Sequence, residues 1–388
     1  MTIYFLYLAV VILVGWYLLG DTITPRNRAI CLGVTAVAVL VIMTCRYSIG
    51  YDYISYERIF TEVSAMSMGE VIATHRMEPV FFIFTKLMSM VSLNYHVFLL
   101  ACNLIMVGFV FWTIYRYSPM WWVSAVLYLT LQFMPHSMNL LRQSIAASII
   151  FASFPFLKKG KLIPYMLMVL LASSFHISAI IMIPAYFLLR APYKLSVLAT
   201  YSGIVLVAYI GFTPILRFAT TYLFPQYAQY VNSSIYAGQN SFAYVMMPFA
   251  YVLGVLLAAK GLLERDKQNN ALIYSAVFTF FVYLFITRMY IVERVSIYFF
   301  MFAMILLPEI IVMLTPKALP TSPTVAQKVE YKKQNENQKV VMILVVFGSI
   351  AYMLFAATTG FHKAYPYVSI FDKQNAVSND SYFQDHTN

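Results

Sequence analysis

The stretch HVFLLACNLIMVGFVFWTIY, residues 96–115, holds no Asp, Glu, Lys or Arg and is closed by Arg116. Wound as an α-helix it rises about 30 Å, the thickness of the hydrocarbon core of a bilayer. Working outward, comparable apolar runs lie at about 3–20, 29–45, 119–135, 139–157, 195–213, 243–261, 271–288, 294–314 and 339–358. In lipid each backbone polar group must be satisfied within its own segment, so the runs are predicted to be helices. No alternating ten-residue pattern suggests a transmembrane barrel. The composition agrees: 61% of the 388 residues are hydrophobic and 11% charged, against roughly 25% charged in a soluble domain. The expected fold is all-α, a single polytopic membrane domain over 1–360 with about 10–12 membrane helices, followed by a polar outer-face tail, 361–388. The first run, Ile3 to Leu19, lacks a basic leader and a small-residue cleavage site and reads as a retained anchor. No repeat period and no second soluble domain is visible.

Two stretches are irregular. Residues 78–92 give only about 15 apolar positions and enclose Lys86, and 162–189 is too long for one span and is interrupted by Ser173-Ser174-Phe175-His176. Basic residues arbitrate, because lysine and arginine collect on the cytoplasmic side. Placing Arg26/Arg28, Arg116, Lys158/Lys159/Lys161, Arg190/Lys194, Lys260/Arg265/Lys267 and Lys317 through Lys339 inside requires an outer amino terminus. It also requires two short helices meeting near His176, and a segment at 78–92 that dips into the membrane without crossing. Irregular backbone at membrane depth is tolerated only where protein buries it or it lines a wet cavity, so both places are candidate sites. The segments 46–77 and 214–242 then become outer loops, the second rich in tyrosine. The proline-bearing segment 315–338 reads as a flexible cytoplasmic linker. The same rule accounts for the formal charge of +11 without nucleic acid as a partner. Cys31, Cys45 and Cys102 have neither metal nor disulfide spacing and read as packing residues.

The inside clusters account for 16 of the 26 basic residues. Among the rest, Arg46, Arg142, Arg288 and Arg294 fall at or within predicted outer helix ends, where a charge needs a partner or a purpose. The bland reading pairs them structurally: Arg46 with Asp52, Arg294 with Glu293, Arg76 with Glu78. The functional reading notes that guanidinium forks suit phosphate, and that several at one face would bind a lipid-linked diphosphate. His176, at the proposed helix break, is a candidate general base; the alternative is a polar residue at a helix end. His75, His96, His136 and His362 show no zinc spacing. Phosphate-cradling glycine loops, a dinucleotide fingerprint and Asp-x-Asp are missing. Neither a metal nor any other cofactor is expected.

The remaining unexplained residues fall into strings. Arg46-Tyr47-Ser48-Ile49-Gly50-Tyr51-Asp52-Tyr53, followed by Tyr56 and Phe60, resembles the signature of EpsG-like proteins, a branch of the Wzy-type polysaccharide polymerases. Four strings fit the same family in the same order: Glu78-Pro79-Val80-Phe81, Leu141-Arg142-Gln143-Ser144-Ile145-Ala146, Phe175-His176-Ile177-Ser178-Ala179 and Glu293-Arg294-Val295-Ser296-Ile297-Tyr298-Phe299. The resemblance covers roughly residues 1–312 and departs at Val80, where the family often has glycine.

This resemblance implies a glycosyltransferase of the bacterial cytoplasmic membrane. It would join polyprenyl-diphosphate-linked oligosaccharide repeat units of a capsule, exopolysaccharide or O-antigen at the outer face, without a metal. A flippase and a chain-length regulator are the expected partners besides the bilayer. Arg142, Arg288 and Arg294 are expected to grip the diphosphate, with Gln143, Tyr53 and Tyr298 of the same strings on the substrate. Arg46 and Asp52 are expected to pair at the cavity mouth. His176 is the preferred base, with Asp52 or Glu78 as substitutes. Tyrosines of 214–242 would stack on sugars or form an interfacial belt. The rivals are a transporter or flippase, which should show internal repeats; an acyltransferase, which wants a deep histidine entered from the cytoplasm; and a non-catalytic assembly subunit.

Overall fold

A computed structural model describes residues 1–15, 24–74, 77–223, 243–316, 319–320 and 324–372. Most of the described residues are helical, and an isolated antiparallel β-bridge joins Arg46 to Ser369. Five helices are long and apolar enough to cross a membrane: Pro25–Thr44, Tyr95–Tyr117, Val245–Arg265, Lys267–Ile286 and Val325–Thr358. The number rises to seven if each of two bent pairs is one span, and five shorter apolar helices join them. The chain is therefore a polytopic all-α membrane protein.

Several spans expected to be continuous are broken. Residues 119–135 give a helix Trp121–Thr130, then Gln132 in the left-handed region at φ 68°, then a short helix Phe133–Asn139. Pro135 explains the interruption, because it cannot donate to the carbonyl one turn earlier. The 195–213 run bends by 76° between Leu195–Ile210 and Phe212–Tyr222, and the 294–314 run by 51° between Tyr290–Phe300 and Ala303–Met313. In the second helix of the latter, Pro308 cannot donate to Met304 O. The Ser124 hydroxyl, from a neighbouring helix, donates to it at 2.5 Å. Residues 162–189 divide as their sequence suggests, into Leu162–Phe175 and a 3₁₀ turn leading to Met182–Leu189, with extended backbone at His176. The helix Pro79–Val91 is 13 residues long, about 20 Å and short of a crossing.

Two segments are more ordered than expected. The loop 46–77 contains the helices Tyr53–Ala65 and Met68–Thr74. Tyr53, Tyr56, Phe60 and Val63 recur at helical spacing and form its buried face. The linker 315–338 is helical from Val325 onward, in one helix of 34 residues reaching Thr358. Its start is a capping box: Thr324 Oγ1 accepts from the Gln327 amide at 3.2 Å, and the Gln327 side chain accepts from the Thr324 amide at 2.8 Å. The helix-breaking prolines stop just before it.

The helix ends sort the charges. At one end Lys158 Nζ meets Asp266 Oδ2 at 2.9 Å, Arg265 Nε meets Glu309 at 3.2 Å, and Arg190 Nη1 donates to Leu157 O at 2.6 Å. These are the clusters expected inside. At the other end the residues after the long helix fold back as a strap. Tyr47 N donates to Val368 O, Ile370 N to Cys45 O and Gly50 N to Lys363 O. Tyr4 Oη donates to Ala364 O, Tyr365 Oη to Gln132 Oε1 and Tyr367 Oη to Ile42 O. Residues 361–372 are thus part of the packed body rather than a separate tail.

Candidate active site at the strap end

The site is built around the carboxylate of Glu78. Glu78 precedes the helix Pro79–Val91 and adopts φ 63°, ψ 44°. A non-glycine residue in the left-handed region costs of order 1–3 kcal/mol and persists where its surroundings hold it. Here three donors hold it. Arg142 Nη1 donates to Oε2 at 2.5 Å, while His176 Nδ1 and the Ile177 amide donate to Oε1 at 2.6 and 3.1 Å. The carboxylate is 7% exposed, against 30% for Arg142 and 23% for His176. Three of the separate sequence strings thus converge on one carboxylate. Arg76, the partner first expected for Glu78, lies outside the described residues.

Each partner comes from an irregular point of a helix. Arg142 sits in the first turn of Leu141–Ala152, its guanidinium over the rings of Tyr56 at 5.9 Å and Phe81 at 5.7 Å. His176 occupies the break between two half-helices, with extended backbone, and its ring reaches the Glu78 carboxylate. With Nδ1 engaged by Glu78, its Nε2 makes no hydrogen bond among the described residues. A carboxylate that fixes Nδ1–H leaves Nε2 as the basic nitrogen. Glu78 itself, satisfied by three donors, is a poor base; its geometry is that of a positioning residue.

Asp52 stands at the same end. Its amide donates to Asn139 Oδ1 at 3.1 Å, and Asn139 Nδ2 contacts His362 Nδ1 of the strap at 2.8 Å. The turn that delivers Asp52 requires Gly50, at φ 96°, where a Cβ would lie 2.8 Å from Met138 O. The Asp52 carboxyl forms no ion pair among the described residues. Burial pushes it above the usual carboxylate range, against the pull of Arg294 and Arg142. The expected Arg46–Asp52 pair is not formed. Arg46 is 1% exposed, donates to Met43 O and lies 6.0 Å from the ring centre of Tyr53, beneath the site rather than at its mouth.

Of the other expected substrate residues, Arg294 is exposed at this end and forms no ion pair among the described residues, not even with adjacent Glu293. Arg288 stacks on Tyr209, its guanidinium carbon 4.4 Å from the ring centre. Gln143, Tyr53 and Tyr298 are buried. Gln143 Nε2 donates to Arg294 O, Tyr298 Oη shares a 2.8 Å hydrogen bond with Ser178, and Tyr53 packs edge-on against Tyr95. All three support the site from behind instead of lining it. Of the tyrosine-rich segment, residues 224–242 lie outside the described residues. Ser178 stood in the string around His176 without a role; Asn139 and His362 carry no spacing signal, being far apart in sequence. Tyr56 was legible, being part of the first string.

No curated protein and no solved structure matches this chain. The model of the EpsG family matches residues 29–319, a stretch that contains Asp52, Glu78, Arg142, His176 and Arg294. With that match covering most of its length, the chain belongs to the EpsG family.

Proposed function

We propose that this protein is a polysaccharide polymerase that transfers a growing glycan from a polyprenyl diphosphate to a sugar hydroxyl at the outer face of the bacterial cytoplasmic membrane. The single observation that carries the reading is the Glu78-centred junction of Arg142 and His176, with Asp52 and Arg294 at the same end. In this reading the acceptor hydroxyl gives its proton to His176 Nε2 and its oxygen bonds the anomeric carbon. The bond from that carbon to the diphosphate oxygen breaks, and the diphosphate leaves with the electron pair. Arg294, free of ion pairs among the described residues, and the unengaged donors of Arg142 stabilise that developing charge. Glu78 holds the imidazole tautomer, and Asp52 contacts sugar. Arg288 and Arg46 have no part in the grip. Glycans that the lipid carries decide the matter: deletion of the gene should accumulate single lipid-linked repeat units exposed at the outer face. Units stranded at the inner face would indicate a flippase, and unchanged polymer would overturn the proposal.

A further inference from the structure

Beside the site, three groups that no sequence spacing connects converge in the protein interior. His136 comes from the short helix Phe133–Asn139, Glu293 opens the helix Glu293–Phe300, and His362 belongs to the strap after the long last helix. They are 3%, 7% and 7% exposed. Each offers one ligand atom, and those atoms lie within 4.8 Å of one another. The two ends of the trio are 226 residues apart, and His362 lies beyond the stretch matched by the family.

The chemistry of the cluster asks for a cation. The Glu293 carboxylate, 7% exposed, accepts no hydrogen bond and forms no ion pair among the described residues, and a buried carboxylate without a bonded partner is costly. His136 Nε2 is buried without a hydrogen-bond partner, while its Nδ1 meets Ser144 Oγ at 3.0 Å. That is the arrangement of a ligating imidazole, in which one nitrogen faces the ion and the other is oriented by a polar neighbour. His362 is oriented in the same way through Nδ1, by Asn139 at 2.8 Å. Two imidazoles and one carboxylate form a zinc ligand set that leaves one position for water or a substrate oxygen.

We infer that His136, Glu293 and His362 bind a zinc-class divalent ion that fastens the strap to the helix ends behind Asp52 and Arg294. Zinc bonds of about 2.0–2.2 Å put tetrahedral ligands about 3.3–3.5 Å apart, so the three groups close by about 1–1.5 Å. Coordination by His362 Nε2 leaves the proton on Nδ1. A half-turn of the Asn139 amide then supplies the acceptor, at the expense of its bond to the Asp52 amide. Metal occupancy is thereby coupled to the loop that carries Asp52. The site needs no assumption about the reaction, and its test reads metal and stability only.

Full-length protein purified in detergent and dialysed against metal-free buffer should retain about one zinc per chain by elemental analysis. His136→Ala and His362→Ala should lose at least about nine-tenths of it, whereas His96→Ala, whose imidazole bonds Thr44 O elsewhere, should keep it. Should the first two variants not fold, the wild-type chain decides. After stripping with a chelator, zinc chloride should raise the melting temperature by about 5 °C or more, as a ligand specific to the folded state does. A wild-type chain without stoichiometric metal, whose melting is indifferent to zinc chloride, overturns the proposal and leaves the cluster held by protons. An equal response to magnesium chloride also overturns it, since magnesium takes oxygen ligands.

Discussion

Replacing Glu78 by glutamine keeps the shape of the side chain and removes one charge. In the wild-type chain three donors converge on two carboxylate oxygens at 2.5, 2.6 and 3.1 Å. An amide offers one acceptor oxygen and turns an NH₂ group toward either Arg142 or His176, so one attractive contact becomes a donor facing a donor. Removing one member of a buried ion pair costs about 3–5 kcal/mol. Arg142 is 30% exposed, which lets water screen the orphaned charge, and a loss of about 1–3 kcal/mol in stability is expected. The kinetic loss should be larger. Without an anionic acceptor the imidazole loses its fixed tautomer, and a general base contributes about 10²–10⁴-fold. Glu78→Gln should lower kcat by about that factor in an assay with purified lipid-linked repeat units, with KM for the donor changed by less than about fivefold. Thermal melting on the same preparation separates this from unfolding. Retention of a third or more of wild-type kcat by a folded Gln variant would refute the role given to Glu78 and the dyad with it.

Arg294→Lys should abolish polymer at normal protein level, because lysine keeps the charge and loses the planar fork. Arg288→Ala should leave polymer length unchanged on a glycan gel, and the opposite pair of results would return Arg288 to the diphosphate. Asp52→Asn should raise the melting temperature at neutral pH while reducing activity. The folded-state pKa of Asp52 is raised, so its carboxylate opposes folding above the ordinary Asp range and is neutral to it below. The gain should therefore vanish as pH falls through about 4, and a pH-independent difference would point to packing instead. A chain stopped after Gly360 should lose polymer synthesis, whereas one stopped after Asp372 should retain it, as read by glycan length against membrane-inserted protein. Cysteine placed at Glu57 should react with an impermeant thiol reagent on intact cells and cysteine at Lys333 should not; labelling of position 333 would invert the orientation.

What the sequence determined by itself is the solvent and the class of structure. Runs such as 96–115 exclude strands and soluble packing, because lipid offers no partner for an exposed peptide group. It also marked the places where the membrane pattern fails: Glu78-Pro79, Arg142 and the Ser-Ser-Phe-His stretch ending at His176. These were legible because an uncompensated polar residue at membrane depth is expensive and so stands out against apolar surroundings. Helix continuity was less legible. Apolar composition reports the environment of residues 119–135 and 294–314 equally well on both sides of a bend, and the bends follow from backbone hydrogen bonding. Only the tertiary structure decided pairing. Arg46 and Asp52, six residues apart, face different surroundings because the turn at Gly50 separates them. Arg142 and Glu78, far apart in the chain, share a hydrogen bond, and Arg288 and Arg294, alike in composition and neighbourhood, part company. The strap, and with it Asn139–His362 and the cluster of His136, Glu293 and His362, arises from contacts between distant segments. Side-chain chemistry is written in the sequence, but which groups meet is set by how helices pack, and packing carries no local signal.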